Sequence, residues 1–198
     1  MCFSQNIATL SRQITEGVLP QINAKEGRYL RSNLSRQFFS ALATHFWSTL
    51  SRANADTGHI RLIFEGKDCH PAFFYDARIG DGLIFHSRLN DGVLNRCLAQ
   101  GGTAVIDHVN DYSPVAQLLQ EAVEARVGGA CWIQCYMTRS THSAFDMHAD
   151  DHPFVICQIA GHKLWRHSGN MEGIQNLSPM SPEILRSTSA ETNTMLVV

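Results

Sequence analysis

No apolar run in this sequence approaches the roughly 20 residues needed to cross a bilayer, so a membrane-spanning helix is not expected. There is no basic block either. Sixteen Lys and Arg face eighteen Asp and Glu, a formal charge of -2, which leaves no electrostatic footprint for binding a phosphate backbone by counterion release. The opening, MCFSQNIATLSRQ, lacks the charged start, apolar stretch and small-residue cleavage site of a secretory signal. The six cysteines (Cys2, Cys69, Cys97, Cys131, Cys135 and Cys157) include no Cys-x-x-Cys pair, which argues against a Cys-rich zinc site and a disulfide scaffold. The expectation is a cytoplasmic protein with reduced, mostly buried thiols and neither a nucleic-acid nor a membrane partner.

What is present is enough apolar residue, 44% of 198, for one sizeable core, together with ten histidines. We read one α+β domain over residues 1–198, mainly helical over 1–58 and β-rich over 59–198, with a helix near 113–127. Leu34, Phe38, Leu42, Phe46, Trp47 and Leu50 recur at helical spacing after a polar Arg31-Ser32-Asn33 start, which predicts an amphipathic helix. HIRLIFEG from His59, AFFYD from Ala72 and TAVID from Thr103 read as strands, and Asn90 to Gln100, closed by Gly101 and Gly102, as a short helix. Ser113 as N-cap, Pro114 at the first position and Gly128 as the stop frame a helix of about four turns with Val115, Leu118, Leu119 and Val123 on its apolar face. Later, CWIQCYM, FDMHAD, PFVICQIAG and HKLWRH read as successive strands, the last two as a hairpin turned at Ala160 and Gly161. Residues 168–194 read as a long loop, and MLVV from Met195 as a further strand.

The chemistry concentrates in the second half. His148 and Asp150 are two apart, so on a strand they share a face and converge on one point. An imidazole and a carboxylate on one face make two thirds of a 2-His-1-carboxylate triad, which suits Fe(II) with open positions. By itself His-x-Asp is also what a solvated polar loop presents. Lys163 follows a tight turn beside Leu164 and Trp165; a cation in such a setting calls for an anionic partner, or is a rim residue whose stem lies along apolar surface. Alternation in CWIQCYM puts Trp132, Gln134 and Tyr136 on one face, where the amide and the hydroxyl could orient a carboxylate or form an ordinary wet strand face.

Taken in order, Gln134-Cys135-Tyr136, His148-Ala149-Asp150-Asp151-His152-Pro153-Phe154 and Gly161-His162-Lys163-Leu164-Trp165 resemble the core of the JmjC-type cupin oxygenases of the ribosomal-protein hydroxylase group. Looser similarity extends back to about Ser35. The resemblance implies N-terminal helices on a double-stranded β-helix (cupin, jelly-roll) core that binds Fe(II) and 2-oxoglutarate. It makes His148 and Asp150 metal ligands, pairs Lys163 with the distal carboxylate of 2-oxoglutarate, and places Tyr136 and Gln134 along the cosubstrate pocket. Gln134 stands where the family usually has Asn. The reaction implied is hydroxylation of a protein side chain or a small peptide-like molecule, with 2-oxoglutarate decarboxylated to succinate.

The family takes its second histidine from a later strand, and no histidine follows His167 here. The expectation is therefore a core cut short at the C-terminal end, with exposed sheet edges that favour self-association. His142, His152 and His167 are the candidate substitutes; side chains four apart on a strand lie about 13 Å apart, so His152 is not expected to join His148 and Asp150 directly, and no third ligand is assigned. The alternative to an oxygenase is a catalytically silent cupin-fold binding or assembly module, and a third reading is a zinc hydrolase using the same His-Asp pair. Arg78 and Arg88 fall where the family builds part of its substrate entrance, and the sequence there also reads as a solvated loop.

Overall fold

A computed structural model of the chain describes residues 3–18, 29–50, 60–139, 154–168, 185–191 and 194–197. The chain divides into two compact units, one of Met1–Thr44, Glu121–Ala130 and Ala149–Val198, the other of His45–Gln120 and Cys131–His148. All strand pairing among the described residues is antiparallel.

The first unit opens with α1 (Phe3–Arg12), which buries Ile7 and Leu10 and runs into a π-helical turn over Gln13–Val18. Helix α2 (Arg36–Leu50), whose residues from His45 on, Phe46 and Trp47 included, belong to the second unit along with Arg139, starts not at the Arg31-Ser32-Asn33 stretch but after Ser35, whose hydroxyl accepts the Phe38 N–H at 3.2 Å. The expected positions Leu34, Phe38, Leu42 and Phe46 are buried, and Phe39, absent from the periodic set, is buried completely. Trp47 departs from the expectation. It is 36% exposed, with the Arg139 guanidinium 5.1 Å from its ring centre, a cation–π contact that suits a ring at the surface.

Two ladders complete this unit. Strand β1 (Tyr29–Arg31) pairs with β11 (Thr194–Val197), which pairs in turn with β8 (Val155–Gln158). Separately, β9 (His162–Ser168) pairs with β10 (Leu185–Glu191) along their whole length. Two expectations are corrected here. The chain does bend at Ala160-Gly161, with Gly161 at φ +68 and Gln158 Nε2 donating to Ala160 O at 2.7 Å, but β8 and β9 do not form a hairpin. Each joins a different ladder, so that β9–β10 is nested within β8–β11. Residues 185–191, expected within a loop, form a strand because β9 supplies the partner that their polar, Ser- and Thr-containing sequence does not announce. The segment read as mainly helical, 1–58, also contributes β1, and its pairing places the MLVV strand between two neighbours.

In the second unit, β2 (Ile60–Phe64), β3 (Lys67–Asp68), β6 (Thr103–Ile106) and β7 (Cys135–Thr138) form a sheet of order β3-β2-β6-β7. Glu65 (φ 50) and Gly66 (φ 74) turn β2 into β3, the paired left-handed residues that match strand twist in a two-residue hairpin. Asp81-Gly82 does the same between β4 (Tyr75–Gly80) and β5 (Leu83–Leu89). The Arg78 to Arg88 region, expected as a loop, is therefore a hairpin. AFFYD is also shifted: Pro71–Phe73 is a 3-10 turn and the strand begins at Tyr75.

Helix α3 (Asp91–Ala99) starts as expected, with the Asn90 side chain accepting the Val93 N–H at 3.0 Å. Helix α4 (Pro114–Val127) has Ser113 as its cap: the hydroxyl accepts the Ala116 N–H at 3.1 Å and hydrogen-bonds His45 Nε2 at 2.7 Å. Its inward face is Ala116 and Leu119, while Leu118, expected inside, is 47% exposed. Because Ser113 is 1% exposed and serves two partners, Ser113→Ala is expected to cost about 1–2 kcal/mol, read from the urea midpoint. An unchanged midpoint would remove the cap from the account of α4. No helix among the described residues is long and apolar enough to cross a membrane.

Candidate functional site

The sheet of the second unit sets out one hydrogen-bonded row. Arg61 on β2, Val105 on β6 and Tyr136 on β7 are cross-strand partners, so their side chains lie on one face. Val105 is fully buried in the middle of the row, whereas Tyr136 is 47% exposed. The expected alternation around β7 holds: Trp132, Gln134 and Tyr136 are exposed, Cys135 is buried, and Ile133 and Met137 are partly buried. Regular strand structure, however, covers only Cys135–Thr138, so Gln134 sits just before it.

Gln134 and Tyr136 are brought together. The Tyr136 hydroxyl donates to Gln134 Oε1 at 2.9 Å, and Gln134 Nε2 donates to Asp107 Oδ1 at 2.6 Å. Asp107, immediately after β6, also accepts from Arg61 Nε at 2.6 Å and Arg61 Nη2 at 3.2 Å, a fork in which the guanidinium engages both carboxylate oxygens. Arg61 Nη1 lies 3.6 Å from Asp68 on β3. The hydrogen bond that Arg61 donates to Asp107 is the main cause that raises the Arg61 pKa above its ordinary value, against the opposing cost of burial. The amide of Gln134 is thus held at both ends, and the orientation of the Tyr136 hydroxyl is tied through it to an ion pair two strands away.

Arg61 and Asp107 are the residues that sequence reasoning missed. The signal was a lone arginine inside IRLIF and an aspartate closing TAVID, two charges at ends of otherwise apolar strands. Asp107→Ala is expected to cost about 1–2 kcal/mol, less than a sealed ion pair would, because Arg61 and Asp107 side chains are 36% and 20% exposed and water screens them. Urea unfolding measures it, and a loss below about 0.3 kcal/mol would mean the clamp holds nothing.

Lys163 belongs to the other unit, on β9 opposite Ala190. It is partly buried, and this withdrawal from water lowers its pKa from the ordinary lysine value. His148 and Asp150 lie outside the described residues, as do His142 and His152. Among the described residues no three His, Cys, Asp or Glu side chains gather as a metal site. The described cysteines are free thiols; burial pushes Cys135 and Cys157 up to about 12, which holds both protonated at neutral pH.

A JmjC domain model matches residues 105–196. The match begins within β6, at Val105, and runs to β11, so Gln134, Tyr136, His148, Asp150 and Lys163 all lie inside it. The mixed helix and strand architecture with antiparallel pairing is compatible with a JmjC cupin. JmjC domains are usually 2-oxoglutarate- and Fe(II)-dependent oxygenases. No curated protein matches the chain.

Proposed function

We propose that this protein is a JmjC oxygenase that uses Fe(II) and 2-oxoglutarate to hydroxylate a protein side chain or a small peptide-like substrate. The observation that carries the reading is the JmjC match over residues 105–196, within which the Gln-x-Tyr, His-x-Asp and Gly-x-Lys-x-Trp series stands in order. The nesting of β9–β10 within β8–β11 supports a jelly-roll core, since a hairpin folded over itself shares its strands between two sheets in this way.

The residues fit the groups. A neutral imidazole from His148 and a carboxylate from Asp150 are donors of the type an Fe(II) facial site uses. The ammonium of Lys163, partly stripped of water, gains more from pairing with a carboxylate than a solvated lysine would, and it would hold the distal carboxylate of 2-oxoglutarate. When bound, the metal and cosubstrate supply the oxidising chemistry, with 2-oxoglutarate leaving as succinate. The remaining work falls to the chain. Lys163 fixes one end of the cosubstrate, and Gln134, clamped by Asp107, holds the Tyr136 hydroxyl toward a fixed acceptor rather than leaving it to rotate. The amide does not have to contact the cosubstrate to matter, which accommodates Gln where relatives have Asn.

An anaerobic titration of the chain with Fe(II) and 2-oxoglutarate tests the proposal. The expected result is a saturating visible charge-transfer band, lost in His148→Ala and present in Ser113→Ala. Failure of the wild-type chain to develop any band would reject the oxygenase reading in favour of a silent cupin module, and tight zinc retention without affinity for 2-oxoglutarate would favour a hydrolase.

A further inference from the structure

We propose that Arg61 and Asp107 are positioning residues for the anionic cosubstrate: their ion pair fixes the direction of a hydrogen-bond chain that makes the Gln134 amide a donor, and Arg61 cancels the charge that Asp107 would otherwise set against a bound carboxylate. The inference rests on the oxygenase reading. It adds two residues outside the Gln-x-Tyr, His-x-Asp and Gly-x-Lys-x-Trp series, and Arg61 also lies outside the stretch that the JmjC model matches.

The direction follows from what each group can give. A guanidinium only donates, and the Arg61 fork, with Nε 2.6 Å from Asp107 Oδ2 and Nη2 3.2 Å from Oδ1, meets a carboxylate that only accepts. Gln134 therefore turns its nitrogen to Asp107, at 2.6 Å, and its oxygen away. That oxygen takes the single hydroxyl proton of Tyr136 at 2.9 Å. With its oxygen accepting and one N–H given to Asp107, the exposed amide has its second N–H to offer a ligand, the polarity that suits a carboxylate. A reversed amide would present its oxygen instead.

The fold builds this chain within the second unit. Arg61 and Tyr136 share a row of the sheet, but the fully buried Val105 stands between them, so their coupling passes round the strand ends. Asp107 and Gln134 lie one residue beyond the Ile106–Cys135 pair, where the β6–β7 ladder stops. His108, at φ +50, turns the chain there. The Val109 N–H donates to Ile133 O at 2.8 Å and the Ile133 N–H to Asn110 Oδ1 at 3.3 Å, which fastens the stretch before Gln134 to the turn that carries Asp107. Without Arg61, Asp107 and Asp68 would be two carboxylates lacking their cation. The Asp68 side chain is 61% exposed and screened by water, so Asp107, at 20%, would carry most of the repulsion.

Two measurements test the pair. In the metal-free full chain, labelled with nitrogen-15 at glutamine side chains, one Gln134 amide proton, identified by its loss in Gln134→Glu, resonates downfield of an ordinary side-chain amide. It moves upfield in Asp107→Ala and stays in Tyr136→Phe. A wild-type proton at the ordinary position, or one that moves in Tyr136→Phe and not in Asp107→Ala, overturns the proposal, and the wild-type spectrum does so whether or not the variants fold. In the anaerobic titration with Fe(II) and 2-oxoglutarate, Arg61→Met weakens cosubstrate binding about tenfold, and Arg61→Lys, which keeps the positive charge, stays within about threefold of wild type. Adding Asp107→Asn to Arg61→Met restores binding to within about threefold, a recovery that damage to the fold would not produce. A wild-type chain without a band overturns the oxygenase reading and this proposal together. A wild-type band whose affinity is unchanged in Arg61→Met, or is not recovered in the double variant, overturns the role of the pair alone.

Discussion

Lys163→Met is expected to weaken binding of 2-oxoglutarate about 100-fold and to remove a rise in stability at alkaline pH. The two effects have one origin. Burial lowers the Lys163 pKa, so the ammonium is held in the fold at a cost that the unfolded chain does not bear. A cosubstrate carboxylate would offset that cost, and removing one partner of such a pair loses roughly 2–5 kcal/mol, at about 1.4 kcal/mol per factor of ten. The pH dependence follows. A lysine whose folded pKa lies below its unfolded value leaves the unfolded state binding more protons between the two, so its contribution makes stability rise with pH through that window and level off near the ordinary value of 10.5. Lys163→Met lacks that rise. Isothermal titration with the Fe(II)-loaded protein and thermal melts from neutral to alkaline pH read the two effects. A variant that binds 2-oxoglutarate unchanged, or that keeps the alkaline rise in stability, would overturn the role given to Lys163.

Phe39→Ala carries the largest expected loss of stability, about 3–5 kcal/mol, a large fraction of the roughly 5–15 kcal/mol that holds a typical domain together. The ring is fully buried on α2 and meets Phe38 edge-on at 5.4 Å between centres, and Phe38 in turn meets Phe3 of α1 at 5.4 Å. Truncation removes the ring from its apolar surroundings and also leaves a cavity that two helices fixed by neighbouring rings cannot fully collapse. The urea midpoint against wild type measures it, with Leu118→Ala as a reference expected to change stability by no more than about 0.5 kcal/mol, because Leu118 is half exposed. If both variants unfold at the same denaturant concentration, the aromatic cluster is not the core of its unit.

Local signals carried most of what was legible. Ser113, Pro114 and Gly128 frame α4 because caps and stops act within one turn, and Asn90 frames α3 for the same reason. Partners were not legible. Ala160-Gly161 announces a bend, but which strand lies beside β8 is decided by β11, and a turn carries no information about that. Residues 185–191 look like loop until β9 provides their ladder. Helical spacing placed Trp47 and Leu118 inside because periodicity defines a stripe and not how wide a neighbour covers it. At the site, the order of Gln134, Tyr136, His148, Asp150 and Lys163 was readable as a family pattern. The clamp of Arg61 on Asp107 was not, since it joins residues 46 apart through a strand register that only the folded sheet creates.

The pairing of Tyr29 with Leu196 sets the order in which this protein can come together. At about 5–20 residues per second, synthesis leaves β1 without its neighbour for about 10–30 s after it emerges from the ribosome. In that interval 45–120, which supplies β2, β3 and β6, is already available to form its own ladder. Closing so long a separation is entropically slow and places this ladder late in assembly. The nascent chain therefore presents the apolar face of α1 and an open strand together, the kind of surface that a holding chaperone engages.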